Sequence, residues 1–215
     1  MDETAARAWV ERECNVPRET MARLDAFVAS LREENERQNL VSRGTLDSIW
    51  LRHIVDSAQL LRFAPAGASW VDLGTGAGFP GLIVAALHDG PVTLVEERRL
   101  RVDFLGRAAA LMGLRIEILH MKAGRVPPRP YDVISARAFA PLEKLLNLGT
   151  AFSTQKSLWL LPKGRNAQDE LAALDPSWQG DFRLEPSVTD AEAHIIVAEY
   201  VRRRAGRPVR KEKRR

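Results

Sequence analysis

Cysteine is almost missing from this chain. The single one, Cys14, excludes an internal disulfide and cannot build a cysteine-based zinc site. The four histidines (His53, His88, His120 and His194) are scattered without metal-ligand spacing, so no structural metal is expected. No run of about 18 apolar residues exists, so no membrane-spanning helix is expected. A secretory signal needs a basic start and an apolar core. Met1-Asp2-Glu3 is acidic and leads into a polar stretch. Nor is there an internal repeat or a clear dimerisation signal. Together these absences predict a cytoplasmic, metal-free protein that works as a monomer without membrane attachment.

What remains is an ordinary globular composition, 45% hydrophobic and 28% charged, in 215 residues. That length suits one α/β domain plus a small appendage. The net charge of +4 hides an uneven distribution. Residues 202–215 carry nine Lys/Arg and one Glu, a net of +8, which leaves the rest of the chain at −4. A dense basic run with Gly and Pro is expected to be disordered when free. It serves either to contact the phosphates of a nucleic acid or merely to keep the chain soluble.

Three segments predict a helical N-terminal extension over residues 1–65. Residues 2–14 and 17–38 have helical patterning, with Met21, Leu24, Val28 and Leu31 on one face and Pro17 at a first-turn position. A third helix is expected from Leu46 to Arg62, behind a Thr45 N-cap. Strand and helix then alternate through a domain spanning 66–201, which argues for a parallel sheet covered on both faces. Strands are expected at Ser69–Leu73, Val92–Val95, Ile116–Leu119, Asp132–Ser135 and Leu158–Leu161. Helices are expected at Gly81–His88, Arg99–Met112, from Pro141 and at Asn166–Leu174. Phe182–Val188 and His194–Val201, joined by Thr189-Asp190-Ala191-Glu192, suit a closing antiparallel hairpin.

The strongest local signal is Val71-Asp72-Leu73-Gly74-Thr75-Gly76-Ala77-Gly78-Phe79-Pro80-Gly81. An apolar strand runs directly into glycines and then a helix. Gly74 and Gly76 let the backbone turn tightly and approach a ligand with no Cβ in the way. Gly76, Gly78 and Gly81 also satisfy the G-x-G-x-x-G of dinucleotide sites, a weak pattern alone. Asp72 inside the strand gives instead the D-x-G-x-G-x-G form of folds that bind S-adenosylmethionine (SAM), and the closing hairpin agrees with it. Glu96 ends the second strand, 18 residues after Gly78, where an acid can accept from both hydroxyls of a ribose. Glu97 beside it is the weaker candidate. Two solvated acids opposing Arg98 and Arg99, and a tight turn with no ligand, are the plainer alternatives.

Missing motifs narrow the methyl acceptor. Methylating a pyrimidine carbon needs a nucleophilic cysteine near the fourth strand, and Cys14 is far from it. Methylating an exocyclic amine usually uses an Asn/Asp-Pro-Pro-aromatic turn, but the turn here is Ser135-Ala136-Arg137-Ala138-Phe139. A guanine N7 needs neither device, because it has an in-plane lone pair and no proton to lose, so positioning can carry the catalysis.

Asn39-Leu40-Val41-Ser42, Arg52-His53-Ile54-Val55-Asp56-Ser57, the glycine loop, Ile134-Ser135-Ala136-Arg137-Ala138-Phe139 and Pro162-Lys163-Gly164 together resemble the RsmG (GidB) family of ribosomal RNA methyltransferases over residues 35–165. The resemblance implies a class I SAM-dependent methyltransferase, a Rossmann-like α/β sheet with a terminal antiparallel hairpin. It implies methyl transfer to N7 of the guanine at position 527, in the 530 loop of 16S rRNA, with the small ribosomal subunit or its precursor as partner. By position, cofactor contacts fall on Gly74, Phe79, Val126 and Arg137, with Gly76 beside them and Glu96 at the ribose. Where that family usually carries an acid, Arg125-Val126 is followed by Pro127. No residue is assigned to bond-making; Arg137 and Lys163 are the substrate-side candidates. RNA contacts are expected from Arg52, His53, Lys163, Arg202, Arg203 and Arg204. His53 and Asp56, three residues apart, share a helix face and either touch substrate or dock the extension on the sheet. Without the resemblance, a SAM enzyme on another acceptor, a non-enzymatic nucleotide-binding module and a dehydrogenase stay open.

Overall fold

Among the described residues, four of the seven strands are buried along nearly their whole length, which is how parallel strands covered on both faces are built. In the computed structural model, which describes residues 1–204, these are β1 (Trp70–Leu73), β2 (Val92–Glu96), β4 (Val133–Ser135) and β5 (Leu158–Lys163). With β3 (Glu117–His120), β6 (Trp178–Pro186) and β7 (His194–Arg203) they form one sheet in the order β3-β2-β1-β4-β5-β7-β6. The first five strands pair in parallel; β7 enters antiparallel between β5 and β6. The expected fold class is therefore present, closing hairpin included.

Side chains alternate across the parallel strands. Trp70, Leu94, Val133 and Leu160 belong to one core, and Val71, Val95, Ile134 and Trp159 to the other. The first core is covered by α1 (Glu3–Glu13), α2 (Arg18–Asn35), α4 (Gly81–Leu87) and α5 (Arg99–Met112). The second is covered by α6 (Leu142–Gly149), with α7 (Ala167–Ala172) beside it. The N-terminal helices thus share a core with the sheet. Asn35 ends α2 by accepting the N–H groups of Leu40 and Val41, both at 2.9 Å.

The single helix expected over Leu46–Arg62 is broken. The chain runs through a 3-10 turn (Arg43–Ser48), a π-helical turn (Trp50–Val55), the short α3 (Asp56–Ala58) and a second 3-10 turn (Gln59–Phe63). Side chains divert the backbone bonds a regular helix would use. Glu3 of α1 accepts the N–H groups of Trp50 and Leu51 at 3.0 and 2.9 Å. Arg137 takes the carbonyl of Arg52, and the Ser57 hydroxyl takes that of His53. Such π turns concentrate at functional sites.

The boundary expected at residue 202 is also corrected. Arg202 and Arg203 are strand residues, opposite Gln179 and Trp178, and the Arg204 N–H donates to Ser177. The remainder of the expected tail lies outside the described residues. Among the described residues, no helix is long and apolar enough to cross a membrane, and no cluster of three His, Cys, Asp or Glu could hold a metal ion.

Candidate functional site

The ends of β1, β2, β4 and β5 carry Gly74, Glu96, Arg137 and Lys163 to the same edge of the sheet, the edge where open α/β sheets bind ligands. A cavity of about 940 Å³ opens there, lined among others by Gly74, Gly76, Phe79, Arg137 and Lys163, and on the far wall by Arg52, His53 and Asp56.

The loop after β1 is braced from below. Asp72 is fully buried, accepting from the Ser135 hydroxyl at 2.8 Å and the Gly81 N–H at 2.9 Å. Ser135 in turn accepts from the Trp70 indole N–H. Burial pushes the Asp72 carboxyl above its usual range, against the pull of these bonds. Asp72 therefore shapes the loop without reaching the cavity. At Gly76, φ +61°, a Cβ would meet the Arg101 guanidinium at 3.7 Å and the Gly74 carbonyl at 3.9 Å, ordinary van der Waals contact, so no steric clash demands glycine there.

Glu96 is 4% exposed. One carboxylate oxygen accepts the Gly76 N–H at 3.0 Å and the other the Arg98 N–H at 2.8 Å, with Arg101 3.8 Å away. Each oxygen keeps acceptor capacity for one more donor. This is a pre-oriented anion beneath the glycine turn; Glu96 is not itself among the cavity-lining residues, whereas Gly76, whose N–H it holds, is. Glu97 is exposed and 3.9 Å from Lys122, a solvated pair. If Glu96 holds a ribose, Glu96→Ala should weaken nucleoside-cofactor binding by about 1.5–3 kcal/mol, the scale of hydrogen bonds to a charged group. Titration calorimetry with SAM measures it, and equal affinity in variant and parent would remove the role.

Arg137 is the hub of the opposite wall. One terminal nitrogen donates to the Arg52 carbonyl at 3.0 Å and to Asp56 at 3.1 Å; the other donates to His53 Nδ1 at 2.9 Å. The guanidinium also lies 5.1 Å from the Phe79 ring centroid, and His53 stacks on that ring at 4.8 Å. His53 and Asp56 thus meet through Arg137. Asp56 further accepts from Gln59 and Thr189, which ties this wall to the β6–β7 turn.

A guanidinium can only donate, so His53 Nδ1 must be unprotonated and its proton sits on Nε2, which donates to Thr45 Oγ1 at 3.0 Å. The Thr45 hydroxyl passes its own proton to the Ser42 carbonyl at 2.9 Å. Burial, with Arg137 and Arg52 adding repulsion, lowers the His53 pKa to about 3. The unfolded chain takes up this proton near pH 6.5, so acid favours unfolding between pH 6.5 and about 3, and nothing is gained above 6.5. The stability difference between parent and His53→Gln should therefore move toward the variant by about 2 kcal/mol on going from pH 7 to pH 4.5. Urea titrations at both pH values check it; a difference independent of pH would show that His53 charges freely in the folded state.

The other expected residues divide. Lys163 lines the cavity, but its ammonium pairs with Glu170 at 2.7 Å, which also accepts the Leu142 N–H opening α6. Arg52 pairs with Asp190 of the hairpin turn at 3.1 Å. Val126 is buried in the second core and is not among the cavity-lining residues. Arg202, Arg203 and Arg204 stand at the other edge of the sheet. His194 pairs with Lys163, and Arg203 is nine residues further along β7, about 30 Å at strand rise. Arg203 there binds Asn147 and Ser177 and covers the Trp178 ring. The Thr45 N-cap expected from the sequence is not formed, since Ser42 stands before the 3-10 turn and Thr45 lies inside it as the partner of His53. Gln59, Glu170, Thr189 and Phe139 are further site residues to which the sequence assigns no role. Only Phe139 carried a usable signal, as an aromatic closing the turn after the fourth strand.

Residues 20–196 match the sequence model of the family described as GidB, rRNA small subunit methyltransferase G. A protein of Zymomonas mobilis named ribosomal RNA small subunit methyltransferase G is 49% identical over 210 residues, 94% of this chain and 95% of its own. One of Rhizorhabdus wittichii with the same name is 52% identical over 209 residues, 95% of each chain. Among solved structures, a SAM-dependent methyltransferase from Aquifex aeolicus superposes with a TM-score of 0.59 at 14% identity, over 81% of this chain and 98% of its own, a likeness of fold.

Proposed function

Because the chain belongs to the GidB family of rRNA small subunit methyltransferase G, we propose that it methylates N7 of a guanine in 16S rRNA, at position 527 of the 530 loop. S-adenosylmethionine, when bound, supplies a methyl group activated by its sulfonium. Gly76 gives the close approach it needs, Gly74 makes room for the Phe139 ring beside it, and Glu96 receives its ribose. In this reading the partner is the small ribosomal subunit or its precursor, met in the cytoplasm by a monomer.

One observation carries the choice of acceptor: the cavity-lining side chains that could act as a base, His53, Asp56, Glu170 and Asp190, are already paired with cations. His53 accepts from Arg137 and donates to Thr45, Asp56 is held by Arg137, and Lys163 is held by Glu170. No cysteine lines the cavity among the described residues. Such a site has no free base to strip a proton from an amine and no nucleophile to activate a ring carbon. It suits an acceptor that brings its own lone pair, and its contribution is orientation.

The test is to map modified nucleosides in 16S rRNA from cells with and without this protein. A single N7-methylguanosine in the 530 loop should vanish with it. Purified protein should methylate small subunits and leave free guanosine almost untouched, since selection of one guanine rests on surrounding RNA shape. A mark on a pyrimidine carbon or an exocyclic amine, or comparable rates on free guanosine, would overturn the proposal.

A further inference from the structure

Phe139 is a large apolar side chain left 36% exposed, and it belongs to neither core. Of the large hydrophobic residues exposed on the described surface, it alone lines the cavity. Its ring lies against the glycine loop so closely that a Cβ added at Gly74 would fall 2.1 Å from Cδ2 and 2.7 Å from Cε2. The residue before it, Ala138, has φ +51°, a left-handed conformation that an alanine adopts only under constraint. The constraint comes from both sides. Arg137 is anchored by its three partners, and the Leu142 N–H is anchored by Glu170. The turn therefore holds a partly exposed aromatic ring in the cavity, with one side packed on Gly74.

A flat aromatic ligand is the chemistry that covers such a ring, and stacking is how proteins hold unpaired bases. Two purines come near this site, the adenine of the cofactor and the acceptor base. Sheet order separates them. Glu96, which would receive the ribose, ends β2 on one side of β1, whereas Phe139 follows β4 on the other side. From this placement, and resting on the guanine-N7 reading above, we propose that Phe139 is the platform on which the acceptor guanine stacks. The geometry of the reaction favours this contact. The N7 lone pair lies in the base plane, so a ring packed on the base's face fixes that plane and leaves the N7 edge free to meet the methyl group.

Phe139→Leu and Phe139→Tyr, compared with the parent protein, test the proposal. Methyl transfer from radiolabelled SAM to small ribosomal subunits gives kcat/KM, calorimetry gives SAM affinity, and thermal melting confirms the fold. Leucine keeps the apolar bulk and loses the π face, so kcat/KM should fall about tenfold or more, on the scale of one stacked base. SAM affinity should stay within about twofold, and tyrosine should restore most of the rate. A leucine variant as active as the parent overturns the proposal, as does a parallel loss of SAM affinity, which would assign the ring to the adenine. Should leucine fail to fold, the tyrosine variant decides: rates near the parent's support stacking, and a tenfold loss with intact SAM binding refutes it. A parent protein that fails to mark N7 would instead sink the underlying reading, whatever the variants do.

Discussion

Arg137→Ala should lower folding stability by about 3 kcal/mol and abolish most activity. Three acceptors lose their donor at once: the Arg52 carbonyl, the Asp56 carboxylate and His53 Nδ1. Asp56 and Arg137 expose only 16% and 18% of their side chains, so the carboxylate cannot simply rehydrate. Removing one partner of a buried pair typically costs about 3–5 kcal/mol, and the Gln59 and Thr189 bonds to Asp56 soften the loss. Arg137→Lys should fall between, because a point charge satisfies Asp56 but cannot span three acceptors in a planar fork. The midpoint of urea unfolding, at unchanged m-value, measures both variants. A loss below about 1 kcal/mol for Arg137→Ala would mean that the wall holding His53 stands without it.

The same hub shows why part of the site was hidden in the sequence. The glycine loop and the strands around it were legible because each obeys a local rule: an apolar run, then glycines, then a helix. Gly113 likewise closes α5 in the left-handed conformation expected of such a cap. The segment before β1 obeyed a helical pattern too, yet it folds as a series of turns. Its breaking groups come from Glu3, forty-seven residues upstream of Trp50, and from Arg137, eighty-five residues beyond Arg52. No window of sequence contains those partners. The commitment of Lys163 to Glu170 and the distance of Arg203 from the cavity are tertiary facts of the same kind. The charge of residues 202–215 looks like one unit in the sequence, yet Arg202 and Arg203 are paired strand residues, because Val201 is buried and the ladder with β6 continues past it.

Gly74→Val should eliminate measurable SAM binding. Gly74 has φ +68°, which a β-branched residue adopts only as an outlier. Its missing Cβ also makes room for the Phe139 ring 2.1 Å from where that atom would sit. Valine must therefore push back the loop that meets the cofactor, the ring that we assign to the acceptor base, or both. Gly76→Ala should be far milder, because its position is open and only the left-handed backbone resists, at about 1–2 kcal/mol. The two causes at Gly74 can be separated with Gly74→Ala, alone and combined with Phe139→Ala. If the ring is the obstacle, deleting it should recover part of the SAM affinity that Gly74→Ala loses, with a coupling of about 0.5–3 kcal/mol. If the double variant binds no better than Gly74→Ala, the demand for glycine comes from the backbone angle alone, and the contact with Phe139 is incidental to cofactor binding.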